Sequence, residues 1–165
     1  LKETIEIDRR FDQLWNQVSK RSKYFFANSR NSKFLKWRYL DSPINTYKVL
    51  VLENGPMITG YAIIKSFGNN DCLELDLVDY LLLDVVNPYQ FLVGILEYAE
   101  VNGYSYINSW IPIGSPLYQA AERLRFSPGK PLTYLGFRSL KSQKQLNELC
   151  QATRWYFTMA DSDIY

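Results

Sequence analysis

The sequence predicts an α/β domain whose single mixed, mostly antiparallel sheet carries helices on both faces. Short turns join the first three β-rich stretches, and strands joined by tight turns pair antiparallel. The third stretch, residues 72–84, ends in the consecutive apolar residues Tyr80 to Leu83, which is typical of a central strand covered on both faces. A helical stretch then separates it from a strand at 104–110, and such a β–α–β unit pairs its two strands in parallel.

Hydrophobic periodicity and turn residues define the elements around that sheet. Residues 5–22 repeat apolar side chains at helical spacing, and Asn54-Gly55 is a strong hairpin signal between two β-rich runs. Asn87 suits the N-cap, and Pro88 the first position, of the helix that follows the long strand. The predicted helices are 5–22, a short one around 34–37, 87–101, 115–124 and 142–150, and the predicted strands are 47–52, 58–64, 72–84, 104–110, 132–138 and 155–159.

The composition excludes several kinds of partner and of catalytic site. The chain has 165 residues, which suits one domain with one core, and its net charge of +2 indicates neither nucleic acid nor an anionic membrane as partner. Cys72 and Cys150 indicate free thiols in a reducing cytoplasm. The chain contains no histidine, which excludes Ser-His-Asp triads, Cys-His pairs and most zinc sites. It begins at Leu1 rather than Met, so we expect a fragment of a longer protein.

Four stretches of the chain resemble a known family. They are FLKWRY at 34–39, the Asn54-Gly55 hairpin with ITGY at 58–61, the late helix at 115–126, and WYFTMADSD at 155–163. On these residues the chain resembles the GNAT (Gcn5-related N-acetyltransferase) superfamily, and in particular the C-terminal half of bacterial proteins with two GNAT-like halves in tandem. The resemblance implies transfer of an acetyl group from acetyl-CoA to an amine acceptor, without a covalent enzyme intermediate. It also implies an N-terminal GNAT-like half as a partner.

In that family the pyrophosphate of acetyl-CoA lies on backbone N–H groups of a glycine-rich loop, at the start of the helix after the central strand. The resemblance places this loop at 87–92, where the three glycine positions are filled by Pro88, Gln90 and Leu92. Proline has no N–H, and the Asn87 side chain is expected to cap one of the remaining donors, so the anion site is predicted to be weakened. The implied cofactor-binding residues are Leu83, Asp84, Val85, Asn87, Tyr89 and Gln90.

The resemblance also implies a general base on the central strand and a general acid on the late helix. Asp79 is the first candidate for the base and Asp76 the second, and their spacing of three predicts that they point to opposite faces of the strand. The family's tyrosine acid falls at Ala121 here, so Tyr118, one helical turn earlier, is the candidate substitute. A packed tyrosine and a structural carboxylate are the alternatives for these residues.

Acceptor contacts are assigned to two residues. Trp110, at the end of the next parallel strand, is predicted to lie near the cleft between splayed strands, either lining an acceptor pocket or as core. Arg38 belongs to the segment 20–39, which carries seven basic residues, six aromatics and no acid, and which is a candidate for contacts with an anionic part of CoA or an acidic acceptor.

Two other function classes stay open. The lost glycines and Ala121 favour a degenerate, non-catalytic GNAT-like module that supports a partner domain or binds an acceptor. Basic residues interleaved with aromatics in 20–39 are also what a single-stranded nucleic-acid binder uses, although the small net charge argues against that class.

Overall fold

The computed structural model describes residues 1–21, 26–69, 72–129, 147, 151 and 154–162. Their strands form one five-stranded sheet with strand order β1-β2-β3-β4-β5. Strands β1 to β4 pair antiparallel, and β5 pairs with β4 in parallel, which confirms the predicted mixed, mostly antiparallel sheet. The strands are β1 (Lys2–Thr4), β2 (Lys48–Asn54), β3 (Met57–Asn69), β4 (Cys72–Leu82) and β5 (Tyr106–Ser109).

Helices cover both faces of this sheet. Phe11 packs against Tyr61 of β3 on one face, with 5.7 Å between the ring centroids. Phe91 packs against Tyr80 of β4 on the other face, with 6.4 Å between the centroids. The helices are α1 (Arg9–Arg21), α2 (Ser32–Leu35), which continues as a single π turn over Lys36–Leu40, α3 (Pro88–Val101) and α4 (Pro116–Arg123).

A β-bulge interrupts the pairing of β3 with the central strand β4. Ile63 pairs with Asp79 and the next residue, Ile64, pairs with Leu77, so β4 contains one extra residue at Val78. The parallel pairing with β5 ends at the same place, because Leu77 and Ser109 are its last partners. Beyond the bulge β4 continues to Leu82, whereas β5 ends at Ser109, so this part of β4 is not paired with β5.

Some predicted boundaries were wrong for identifiable reasons. Helix α1 begins at Arg9 instead of residue 5, because Lys2–Thr4 adds to β2 as an edge strand. The predicted strand 155–159 was also wrong: Trp155 makes one isolated parallel bridge with Phe26, and Met159–Asp161 forms a 3₁₀ turn. A capping box between Thr158 and Asp161 stabilises that turn.

Two other predicted elements lie mostly outside the residues that the structure describes. The predicted strand 132–138 lies outside the described residues, as does the predicted helix 142–150 except for residue 147. Across the residues that are described, no helix has the length and apolarity to cross a membrane.

Candidate functional site

Asp79, the predicted base, lies in the centre of a buried polar cluster. Its side chain has no exposed surface. One carboxylate oxygen accepts hydrogen bonds from the Arg30 guanidinium at 3.1 Å and the Thr158 hydroxyl at 2.8 Å. The other oxygen accepts from the Tyr61 hydroxyl at 2.9 Å. Three donors thus satisfy the acceptor oxygens of this buried carboxyl group.

Arg30 supplies the compensating charge and is itself fully buried. It donates to the carboxylate of Asp161 at 2.6 Å and to the backbone carbonyl of Asn28 at 2.9 Å, and its guanidinium stacks 4.8 Å from the centre of the Tyr156 ring. Burial is the largest single influence and lowers the pKa of Arg30, but Asp79, Tyr156, Tyr61 and Asp161 each raise it and together outweigh burial, so the net pKa is raised. The guanidinium therefore remains charged at every pH at which the chain is folded.

Two tyrosines border this cluster in different ways. Burial first, and the negative charge of Asp79 second, raise the pKa of both Tyr61 and Tyr39. Tyr61 donates to Asp79, whereas the hydroxyl of Tyr39 is buried without a hydrogen-bond partner among the described residues. Both hydroxyls stay neutral near physiological pH, so neither provides a phenolate for chemistry.

Asp76 lies on the same face of β4 as Asp79, so the prediction of opposite faces was wrong. The bulge at Val78 shifts the alternation by one residue: Asp76 pairs with Lys65 and Asp79 with Ile63, two residues of β3 that share a face. Asp76 is 7% exposed and accepts from the Asn108 amide of β5 at 3.3 Å. Burial raises the pKa of Asp76, and the Asn108 hydrogen bond lowers it by less.

At the start of α3, where the resemblance places the pyrophosphate, the backbone N–H groups donate to atoms of the chain itself. The Asn87 side-chain oxygen accepts from the backbone N–H of Tyr89 at 2.9 Å and of Gln90 at 3.4 Å. Pro88 has no N–H, and the N–H of Phe91 donates to the Asn87 carbonyl at 3.0 Å. We expected the Asn87 side chain to accept from one backbone N–H group, but it accepts from two.

The remaining residues of the predicted cofactor site line the loop between β4 and α3. Leu83 is partly buried against the core, whereas Asp84 is exposed and Val85 is 77% exposed. Trp110 directly follows β5 and packs, partly buried, against the core. Because parallel strands place their carboxyl ends at one edge of a sheet, this loop and Trp110 lie at the same edge, beyond the carboxyl ends of β4 and β5.

Tyr118 and Arg38 lie on two other elements, α4 and the π turn. Tyr118 is half-buried on α4, and its backbone N–H donates to the N-cap residue Ser115 at 3.1 Å. Arg38, on the π turn, donates to the backbone carbonyl of Ser162 at 2.8 Å. The same segment exposes Trp37, 64% accessible, and buries Tyr39, so its aromatics are divided between surface and core.

Known structures share this architecture, although no protein-family model and no curated protein sequence matches the chain significantly. A probable acetyltransferase superposes with a TM-score of 0.55 at 10% identity, over 86% of this chain and 100% of that one. An integron cassette protein of V. cholerae superposes with a TM-score of 0.53 at 13% identity, over 91% and 96%. A mutant of the BH1408 protein from Bacillus halodurans gives 0.52 at 13% identity, over 83% and 98%.

The chain has a GNAT-like fold. In this GNAT-like sheet the predicted cofactor loop and Trp110 lie at one edge, while Asp76 and Asp79 lie on one face of the central strand. The roles of these residues in binding and catalysis stay predictions.

Sequence reasoning missed most of the buried cluster in this GNAT-like domain. It identified Asp79 but not its donors Arg30, Tyr61 and Thr158, nor Asp161, which accepts from Arg30. One signal was present: the closing run that carries the resemblance contains both Thr158 and Asp161. The position of Arg30 in a basic segment concealed its role, because six other cations surround it in sequence.

Proposed function

We propose that this chain is a GNAT-like domain that supports acyl transfer by a partner domain and contributes packing and acceptor contacts. In this proposal the partner, such as a second GNAT-like half, holds acetyl-CoA. The observation that carries the proposal is the start of α3, where Asn87 accepts both N–H groups that a pyrophosphate would need.

The electrostatics of this loop add to the argument. Phosphate binding at a helix N-terminus depends on free N–H donors and the positive end of the helix dipole. Pro88, Tyr89, Gln90 and Phe91 offer no free donor in this structure, since the three N–H groups present donate to Asn87. The exposed carboxylate of Asp84 lies in the same loop and repels a phosphate.

Calorimetric titration of acetyl-CoA into the chain tests the proposal, with desulfo-CoA and ATP as ligand controls. We expect no binding by the wild type at millimolar ligand. The double variant Asn87→Gly/Pro88→Gly frees two N–H groups and adds a third, so we expect it to gain CoA binding. Ser115→Gly is the matched control, because it removes the same kind of cap from α4.

Either of two results contradicts the proposal. Micromolar binding of acetyl-CoA by the wild type would show that the capped helix start still holds the cofactor. Equal gains in the double variant and in Ser115→Gly would show that loss of a cap, rather than the freed donors, produces the binding.

A second candidate function is acetyl transfer by this chain itself, and the end of the β4–β5 pairing at Leu77 and Ser109, which leaves the last part of β4 unpaired with β5, favours it. An acceptor amine would attack the thioester carbonyl directly, an amide bond would form, and the CoA thiolate would leave and take up a proton. The predicted roles are those of Asp79 as base and Tyr118 as acid. Asp76 is a further base candidate, because its raised pKa favours uptake of a proton.

Steady-state kinetics with a panel of amines separates these roles. If the chain is active, Tyr118→Phe lowers kcat without changing the affinity for acetyl-CoA, and Asp76→Asn removes the acidic limb of the pH profile. Activity that survives all three substitutions at Asp76, Asp79 and Tyr118 would eliminate this set of roles.

A further inference from the structure

An exposed row of side chains crosses three strands near the amino end of β4. Phe67 of β3 pairs with Glu74 of β4, and Glu74 pairs with Tyr106 of β5, so the three side chains project from one face of the sheet. Phe67 and Tyr106 are each 61% exposed, and Glu74 is half-buried. Solvent therefore reaches two aromatic rings that have a carboxylate between them.

The next row of the same face holds this carboxylate in position. Lys65, Asp76 and Asn108 form that row, one step toward the bulge. The Asn108 amide donates to one oxygen of Glu74 at 2.9 Å and to Asp76 at 3.3 Å. Glu74 is thus bound through one oxygen, and its charge is met by a neutral amide instead of a cation.

A lysine of the chain already uses one of these rings. The Lys65 ammonium lies over the Phe67 ring at 6.0 Å from its centre, which is the outer limit of a cation–π contact. The face of Phe67, rather than only its edge, is therefore accessible to a positive charge on this side of the sheet.

The spacing of the strands sets the size of the cation that fits the row. Neighbouring strands lie about 4.8 Å apart, so the backbones of Phe67 and Tyr106 are about 10 Å apart with Glu74 midway. A positive charge above Glu74 lies about 5 Å from each ring, within the roughly 6 Å range of cation–π attraction. The row offers ring surface and a single carboxylate, whereas a primary ammonium has three N–H donors to satisfy. A methylated ammonium has no such donors, so it loses fewer hydrogen bonds to water on binding.

We propose that Phe67, Glu74 and Tyr106 form a binding site for a quaternary, methylated ammonium group. The two rings contact the methyl groups, and Glu74, which Asn108 holds between them, balances the charge. The inference goes beyond the proposed function, because the row lies at the amino end of β4 whereas α3 starts beyond its carboxyl end. A quaternary nitrogen also has no lone pair with which to accept an acyl group.

Titration of the chain with choline, followed by the NMR signals of the Phe67 and Tyr106 rings, tests the site. Two ligands serve as controls: the uncharged carbon analogue, in which a tert-butyl group replaces the trimethylammonium group, and ethanolamine, which carries a primary ammonium. We expect choline to bind about tenfold more tightly than either control. Equal affinities for choline and the uncharged analogue, or tighter binding of ethanolamine, would overturn the proposal.

Variants of the row locate the binding. Phe67→Ala and Tyr106→Ala each remove one exposed ring and should weaken choline binding about fivefold, whereas Tyr106→Phe keeps the ring and should bind as the wild type does. Trp37→Ala is the matched control, because Trp37 is 64% exposed and lies on the π turn instead of the sheet. Wild-type affinity in both alanine variants of the row, or an equal loss in Trp37→Ala, would place the binding elsewhere and overturn the site.

Lys65→Gln gives a change of the opposite sign. It removes the chain's own cation from the Phe67 ring, so choline binding should become tighter. Weaker binding in this variant would contradict a cation site at Phe67. All of these readouts use choline without CoA, so their outcome is independent of the acetyl-CoA titration that tests the proposed function.

Discussion

Two carboxylates on one strand, Asp76 and Asp79, share a face of β4 but have different environments. Asp79 is completely buried and receives a guanidinium and two hydroxyls. Asp76 is 7% exposed, and its hydrogen bond comes from the neutral amide of Asn108. The charge on Asp79 is compensated by residues distant in sequence, whereas Asp76 accepts its hydrogen bond from the neighbouring strand β5. A buried aspartate on this strand is therefore stabilised by an ion pair or destabilised by the loss of water, depending on which side chains pack over it.

The largest effect is expected at the compensated carboxylate. Asp79→Asn leaves the buried Arg30 without the fully buried anion with which it pairs, and breaking a buried ion pair costs about 3–5 kcal/mol. Chemical denaturation should show that loss in the free energy of unfolding, and Asp76→Asn is the matched control. A loss at Asp79 no greater than that at Asp76 would mean that Asp161 alone satisfies the guanidinium.

An intermediate effect is expected from a tyrosine pair that borders Asp79. Tyr61→Phe removes a donor to the buried carboxylate, which costs about 1–3 kcal/mol. Tyr39→Phe removes a buried hydroxyl that has no partner among the described residues, so it should be neutral or slightly stabilising. Thermal and urea unfolding of the two variants measure the contrast. Equal losses would show that Tyr39 also donates to the cluster.

The smallest effect is a pH dependence at Asp76. Its pKa is raised on folding, so the folded chain binds this proton more tightly, and stability falls as pH rises from 3.8 through the raised value. Asp76→Asn removes that loss, so its stability relative to the wild type should increase across the window and remain constant above it. Denaturation curves between pH 4 and pH 7 give the comparison, with exposed Asp41→Asn as the control for the lost charge. A constant difference over the window would show that Asp76 has no raised pKa.

Local signals in the sequence were sufficient for most of the fold. The Asn87-Pro88 start of α3, the Ser115-Pro116 start of α4 and the Asn54-Gly55 turn were all predicted, because each depends on neighbouring residues only. The parallel pairing of β4 with β5 followed from the helix between them.

The candidate site was less predictable because it depends on tertiary contacts. No residue near Val78 indicates the bulge that places Asp76 and Asp79 on one face, because the bulge depends on the register with β3. Arg30 meets Asp79 across 49 residues and Asp161 across 131, and periodicity carries no information on such pairs. The extent of the Asn87 cap also required the geometry, because composition does not say how many N–H groups one side chain accepts.

The long separations in the buried cluster have a consequence for synthesis and folding. A nascent chain that has already emerged through β4 holds Arg30 and Asp79 but lacks Asp161, which appears 82 residues after Asp79 in the order of translation. Contacts that close such large loops form late, because the chain loses entropy in closing the loop before it gains the energy of the contact. The sheet therefore assembles around a guanidinium that is still hydrated on one side, and the segment that carries Asp161 removes this water when it packs. Emergence of Asp161, rather than completion of β4, marks the earliest moment at which this interior can become dry.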